Sequence, residues 1–232
     1  MPKAQEYLNK NYPHQERQKI TELSLKDKNL EGQLTIQDFP SLKKIECGNN
    51  EKLQAIELNN LPKLNYFHAN NCQITDIEIK NCPNINYLNL ANNLLTDLNF
   101  LANLNSKKLT TLSIHSNNFS EQTLEPFSKL VNLQQLFLDN CDKAKFRKGV
   151  YNRFTGSLKP LQNLPKLEIL SIGKTDIDSG LEYLPSSFRK IGFNFAIKVD
   201  TGCSKLSREL AEASQIEGVT EKLQQHEEND PA

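Results

Sequence analysis

One pattern recurs eight times along the 232-residue chain and leaves it little freedom in how to fold. Written L-x-x-L-x-L-x-x-N/C-x-L, it starts at Ile20, Leu42, Leu64, Ile85, Leu109, Leu133, Leu167 and Phe188, which open rungs 1 to 8. Successive starts lie 22, 22, 21, 24, 24, 34 and 21 residues apart. The clearest copies read LNYFHANNCQI (64–74), INYLNLANNLL (85–95), LTTLSIHSNNF (109–119) and LEILSIGKTDI (167–177). A unit of about 20–29 residues cannot bury its apolar face alone, so the copies must stack on a shared core. The first and last copies, ITELSLKDKNL (20–30) and FRKIGFNFAIK (188–198), are degraded at position 9, as suits units that cap a stack.

Within a rung the apolar residues alternate, which predicts a short strand. Positions 4 and 6, such as Leu88 and Leu90, point inward, while positions 3, 5 and 7 point outward. Position 9 holds Asn50, Cys72, Asn93, Asn117, Cys141 and Thr175. There the chain leaves the strand and its main-chain polar groups need partners. An asparagine offers both donor and acceptor, and stacked asparagines can bond from rung to rung. Cys72 and Cys141 fit the same small slot, which assigns both to structure. An apolar residue followed by proline precedes the next rung at 39–42, 61–64, 82–85 and 164–167. Proline has no amide to give a ladder, so it marks the loop feeding each new strand. Between rungs we expect short strands, turns or 3-10 pieces, with more helix in SEQTLEPFSKL (120–130).

Across roughly residues 20–198 the chain resembles the leucine-rich-repeat proteins. The resemblance implies an α/β fold: a leucine-rich-repeat solenoid, or curved horseshoe, with a parallel β-sheet on its concave face and short strands, turns or helices on its convex face. It implies a role in binding another macromolecule and carries over no catalytic residue. Three stretches, KNLEGQLTIQDFPSLKKI (28–45), YNRFTGSLKPLQNLPKL (151–167) and TDIDSGLEYLP (175–185), are similar to the expanded cytosolic leucine-rich-repeat proteins of fungi. Some of those carry kinase domains, whose glycine-rich loop, HRD and DFG signatures this sequence lacks.

Three segments follow. Residues 1–19, with Ala4, Tyr7, Leu8 and Tyr12 near helical spacing, are expected to cap the open edge of rung 1. Residues 20–199 form the solenoid. Residues 200–232 read as a cap helix, striped by Leu206, Leu210, Ala213 and Ile216, and an acidic tail. The 34-residue sixth interval holds a basic insertion near 142–154, with Phe146, Tyr151 and Phe154 among its cations.

Lys+Arg and Asp+Glu balance at 28 each, so a partner that needs a one-signed field, nucleic acid or a membrane surface, is not expected. Cys47, Cys72, Cys82, Cys141 and Cys203 form no C-x-x-C pair, which suggests neither a zinc site nor a disulfide framework. No cofactor is expected. The charged N-terminus lacks a signal-peptide core, so the reading is a cytoplasmic monomer with reduced thiols.

The outward columns supply the candidate site. On the middle rungs they offer Tyr66, His68, Tyr87, Asn89, His115, Phe137 and Asp139, aromatic anchors in a polar frame. The insertion adds Lys145, Arg147 and Lys148 as a candidate anion-binding loop. All ten are candidate partner-binding residues. Ser113, His115 and Asp139 do not make a triad, because Ser113 and His115 sit two residues apart along a strand, about 6.8 Å. His68 and His115 lie two rungs apart, about 10 Å, too far to share a zinc ion. Asp176 and Asp178 lack calcium-loop spacing and read as a turn. The expected function is a protein-binding module or scaffold using the concave face; the alternative is a regulatory subunit or inhibitor of a partner enzyme.

Overall fold

The computed structural model describes residues 1–188 and the backbone of residues 190–192. Eight three-residue strands occupy positions 3–5 of the eight rungs: Glu22–Ser24, Lys44–Glu46, Tyr66–His68, Tyr87–Asn89, Thr111–Ser113, Gln135–Phe137, Ile169–Ser171 and Lys190–Gly192. They form one parallel sheet whose strand order follows the chain. Position 3 faces position 3 from Glu22 through Lys44, Tyr66, Tyr87, Thr111, Gln135 and Ile169 to Lys190. The columns written from the sequence are therefore columns in space, even across the 34-residue interval.

The core lies behind this sheet. Positions 4 and 6, such as Leu23 and Leu25, Leu88 and Leu90, or Leu136 and Leu138, are buried, and position 1 is buried from Leu42 through Leu167. Each such side chain contributes about 1.5–3 kcal/mol of apolar burial. On the convex side, Glu31–Ile36, Lys52–Asn59 and Asp76–Lys80 form a three-stranded parallel sheet. Farther along come 3-10 turns at Asn99–Asn103, Glu125–Phe127 and Lys159–Asn163 and a two-stranded parallel sheet of Thr155–Ser157 and Asp176–Ser179. The segment with Asp176 and Asp178 is thus a strand and not the expected turn. The extra helix expected at 120–130 does not form. Pro126 brings no amide to a helix there, and Gln122 instead bridges to Phe154.

The turn after each strand is built by two adjacent residues with separate roles. At position 9, Asn93 donates to the carbonyls of Ala69, Leu90 and Ala91 and accepts from the Ile74 amide. Asn50 and Asn117 repeat the arrangement, and Cys72 fills the slot with its thiol toward the Cys47 and Asn70 carbonyls. Position 9 thus bonds from rung to rung through main-chain groups, as expected, and a second ladder, between side chains, runs along position 8. There Asn92 donates to Asn71, Asn71 to Asn49 and Asn49 to Asp27, at 2.8–2.9 Å. These residues have φ of +52° to +58°, a left-handed turn that asparagine and aspartate tolerate best after glycine.

At the N-terminal end, helix α1 (Ala4–Asn11) and a 3-10 turn (His14–Lys19) precede the first strand. Gln5 accepts the Thr35 amide and the Pro2 carbonyl accepts the Glu31 amide, so the edge of the convex sheet is covered. Arg17 is buried over the Phe39 ring at 4.9 Å and donates to Tyr12, Gln37 and Asn9. The cap helix and acidic tail expected at 200–232, and the end of rung 8, lie outside the described residues. Among the described residues no helix is long and apolar enough to cross a membrane.

Candidate functional site

The concave face gathers four of the expected residues into one patch. Tyr66 and Tyr87, paired across neighbouring strands, stack with ring centroids 4.3 Å apart and planes within 7°. The Tyr66 hydroxyl lies 3.3 Å from His68 Nδ1, and Asn89 donates to the Tyr87 hydroxyl at 3.4 Å. Lys44 sits over the Tyr66 ring at 5.2 Å while bridging to Glu46 at 3.0 Å. Burial, then the neighbouring Tyr87, push the Tyr66 phenol up to about 12, and burial lowers the His68 pKa. Among the described residues His68 Nε2 is buried without a hydrogen-bond partner. Phe137 stands apart: Thr111–Ser113 separates its strand from that of Tyr87.

The sixth rung is built differently from its neighbours. Cys141 is not its position 9; Asn152 is. The Asn152 side chain donates to the carbonyls of Ile114 and Leu138, both at 3.0 Å, and accepts the Asn117 amide at 3.1 Å. Those are the partner types that Asn93 and Asn117 find on their own and preceding rungs. Phe154 then takes position 11, fully buried against Phe119 and Phe127. Residues 141–151 are thus an excursion opening between positions 8 and 9, its base stapled where Asn140 Oδ1 accepts the Asn152 amide at 2.7 Å. The sequence carried the signal: Asn-Arg-Phe at 152–154 repeats the asparagine–x–apolar step of Asn93–Leu95 and Asn117–Phe119.

The excursion begins with helix α2 (Lys143–Arg147), capped by Asp142, whose carboxylate accepts the Ala144 and Lys145 amides. Lys145 reaches back to the stack, donating to the Asn93 carbonyl at 2.9 Å and the Ser116 carbonyl at 3.4 Å. It acts as a clamp, whereas Arg147 and Lys148 are exposed. Phe146 packs on Tyr151, with Lys174 and Arg153 over the two rings. A groove of about 880 Å³ runs beside the position-8 ladder, from Asp27 past Asn49 and Asn71 to Asp142 and Lys145.

Displacement from the core slot leaves Cys141 half-buried beside His115. Its Sγ lies 3.3 Å from His115 Nδ1 and 3.2 Å from Ser116 Oγ. Asp139 neighbours His115 on position 7 and is 6% exposed. The His115 hydrogen bond, against the opposing pull of burial, lowers the Cys141 pKa below the usual thiol value. Burial would lower the His115 pKa, but Cys141 and Asp139 outweigh it and the net shift is upward. The thiol in the rung-3 slot behaves oppositely: burial pushes Cys72 up to about 11. The structure therefore pairs His115 with Cys141 rather than with Ser113, a partnership that the sequence register had hidden.

Residues 62–103, rungs 3 and 4, match the family model described as Leucine Rich repeats (2 copies). No curated protein matches the sequence. Among solved structures, an internalin from Listeria monocytogenes is 18% identical, with a TM-score of 0.41 over 80% of this chain. This chain spans 64% of that internalin's length. The leucine-rich-repeat domain of LRIM1 is 13% identical, with a TM-score of 0.52 over 91% of this chain and 77% of that domain. Likeness at such identity speaks for fold alone. With the rung register and the chain-ordered parallel sheet, it shows that this chain has the fold of a leucine-rich-repeat solenoid.

Proposed function

We propose that this chain is a protein-binding module that docks its partner on the concave strand face, with the Tyr66–Tyr87 stack as anchor. The observation carrying this reading is the stack itself, two parallel rings 4.3 Å apart on a face formed by the outward positions of the sheet. Rigid aromatic pairs bring large contact area at low entropy cost, and the Lys44, Glu46, His68 and Asn89 frame supplies polar specificity. The stretches at 28–45, 151–167 and 175–185, similar to cytosolic fungal repeat proteins, support the same role. The free thiols of Cys47, Cys72, Cys82 and Cys141 are in keeping with a reducing compartment.

Affinity capture compares the wild type with a Tyr66/Tyr87/Phe137→Ala triple variant. We expect a specific partner to be captured by the first and lost by the second. Equal capture by both overturns the assignment of the concave face. Assaying a captured enzyme with and without this chain then separates a scaffold from a regulatory subunit.

A further inference from the structure

Three donor groups meet where the excursion leaves the sixth rung. His115 and Asp139 occupy the same outward position on adjacent rungs, so the sheet fixes their spacing. Cys141 is brought to them because its amide donates to Ser116 Oγ at 3.1 Å. The ligating atoms of all three lie within 4.8 Å of one another, and the Cys141–His115 pair is already at 3.3 Å. Asp139, 6% exposed, lines the same junction beside them.

We propose that His115, Asp139 and Cys141 form a binding site for a thiophilic divalent metal ion of the zinc class, with one imidazole nitrogen, one carboxylate oxygen and one thiolate as ligands. Tetrahedral zinc, with bonds of about 2.0–2.3 Å, sets neighbouring ligand atoms about 3.3–3.6 Å apart. The thiol and imidazole already meet that spacing, and a carboxylate shift of about 1 Å completes it. The mixed sulfur, nitrogen and oxygen donors select zinc or cobalt over magnesium or calcium, which take oxygen ligands. On binding, the thiol proton leaves to solvent and the metal–sulfur bond takes its place. The Ser116 hydroxyl, 3.2 Å from Sγ, is placed to donate to the bound thiolate and orient it. Three protein ligands leave a fourth position open, as in zinc sites that bind water or an exchangeable ligand.

Metal-stripped full-length chain is titrated with cobalt(II) and followed by absorption, with zinc as competitor. We expect one equivalent of tetrahedral cobalt with a sulfur-to-cobalt charge-transfer band that zinc abolishes. Cys141→Ser and His115→Ala lose the band, Asp139→Asn weakens binding more than about 100-fold, and Cys72→Ser leaves it unchanged. Circular dichroism matched to the wild type shows that each variant is folded. The proposal is overturned by a wild type without the band, by a band that persists in Cys141→Ser, or by undiminished affinity in Asp139→Asn.

Discussion

Rungs 4 and 6 follow one plan and differ by a single interruption. In rung 4, Asn92 takes the left-handed turn and Asn93 follows at once, closing on three carbonyls. In rung 6, residues 141–151 separate Asn140 from Asn152, yet Asn152 reaches the corresponding slot and Phe154 the corresponding core position. The contrast shows that contacts at positions 4, 6, 9 and 11 set the rung, while the chain between positions 8 and 9 is free to leave and return. It also shows what a slot does to its occupant. The thiol inside one, Cys72, is silenced by burial; the thiol displaced from one, Cys141, is drawn toward ionisation by His115.

The sharpest way to break the comparison is kinetic. With chelator present and pH near 7, iodoacetamide should alkylate Cys141 at least about 100-fold faster than Cys72, as read by mass spectrometry of digests. A thiol pushed up to about 11 already differs by about two decades or more in thiolate fraction from an ordinary thiol, and His115 draws Cys141 further toward ionisation. As pH falls, labelling at Cys141 should persist below the range of an ordinary thiol, because a lowered pKa keeps the thiolate to lower pH. Equal labelling would place both cysteines in equivalent slots.

Next in size is the loss of Asn152. Asn152→Ala takes the side-chain partner from the Leu138 carbonyl and the Asn117 amide and one of two donors from the Ile114 carbonyl, and should cost about 2–3 kcal/mol, with Cys141→Ala below about 1 kcal/mol. Urea denaturation measures both, and reversal of the order would restore Cys141 as the rung residue. Asn92→Ala should cost about 1–2 kcal/mol, through the strain of alanine at φ +55° and the loss of one ladder bond. The smallest effect belongs to deletion of 141–151, which splices rung 6 to LQQLFLDNNRF and restores the regular pattern. We expect a change within about 1 kcal/mol in urea and an unaltered far-ultraviolet spectrum. Collapse of the fold would mean that the excursion holds the stack together.

The strand register was legible because its cause is local: the period-two alternation of Leu88 and Leu90 or Leu136 and Leu138 must face one core. Tyr66 over Tyr87 followed from that register alone. Position 8 was harder to read, since its demand is for a left-handed backbone, and Asp27, Asn49, Ser116 and Lys174 share that conformation without sharing a side chain. The helix expected at 120–130 failed because Pro126 and the pairing of Gln122 outweighed local preference. Cys141 was misplaced because a fixed count of eleven positions was carried through an interval that had been interrupted. The cluster it joins draws on residues 24 and 26 positions from His115, a juxtaposition only the stacking of rungs creates.

The Asn140–Asn152 staple has a consequence for how such a chain diversifies. Because it closes the base of the excursion on the stack, whatever lies between the two asparagines is a cassette. If deletion of 141–151 is tolerated, segments of other lengths and chemistries can be exchanged there while the sheet keeps its pairing, giving new recognition or reactivity without redesign of the frame that displays it.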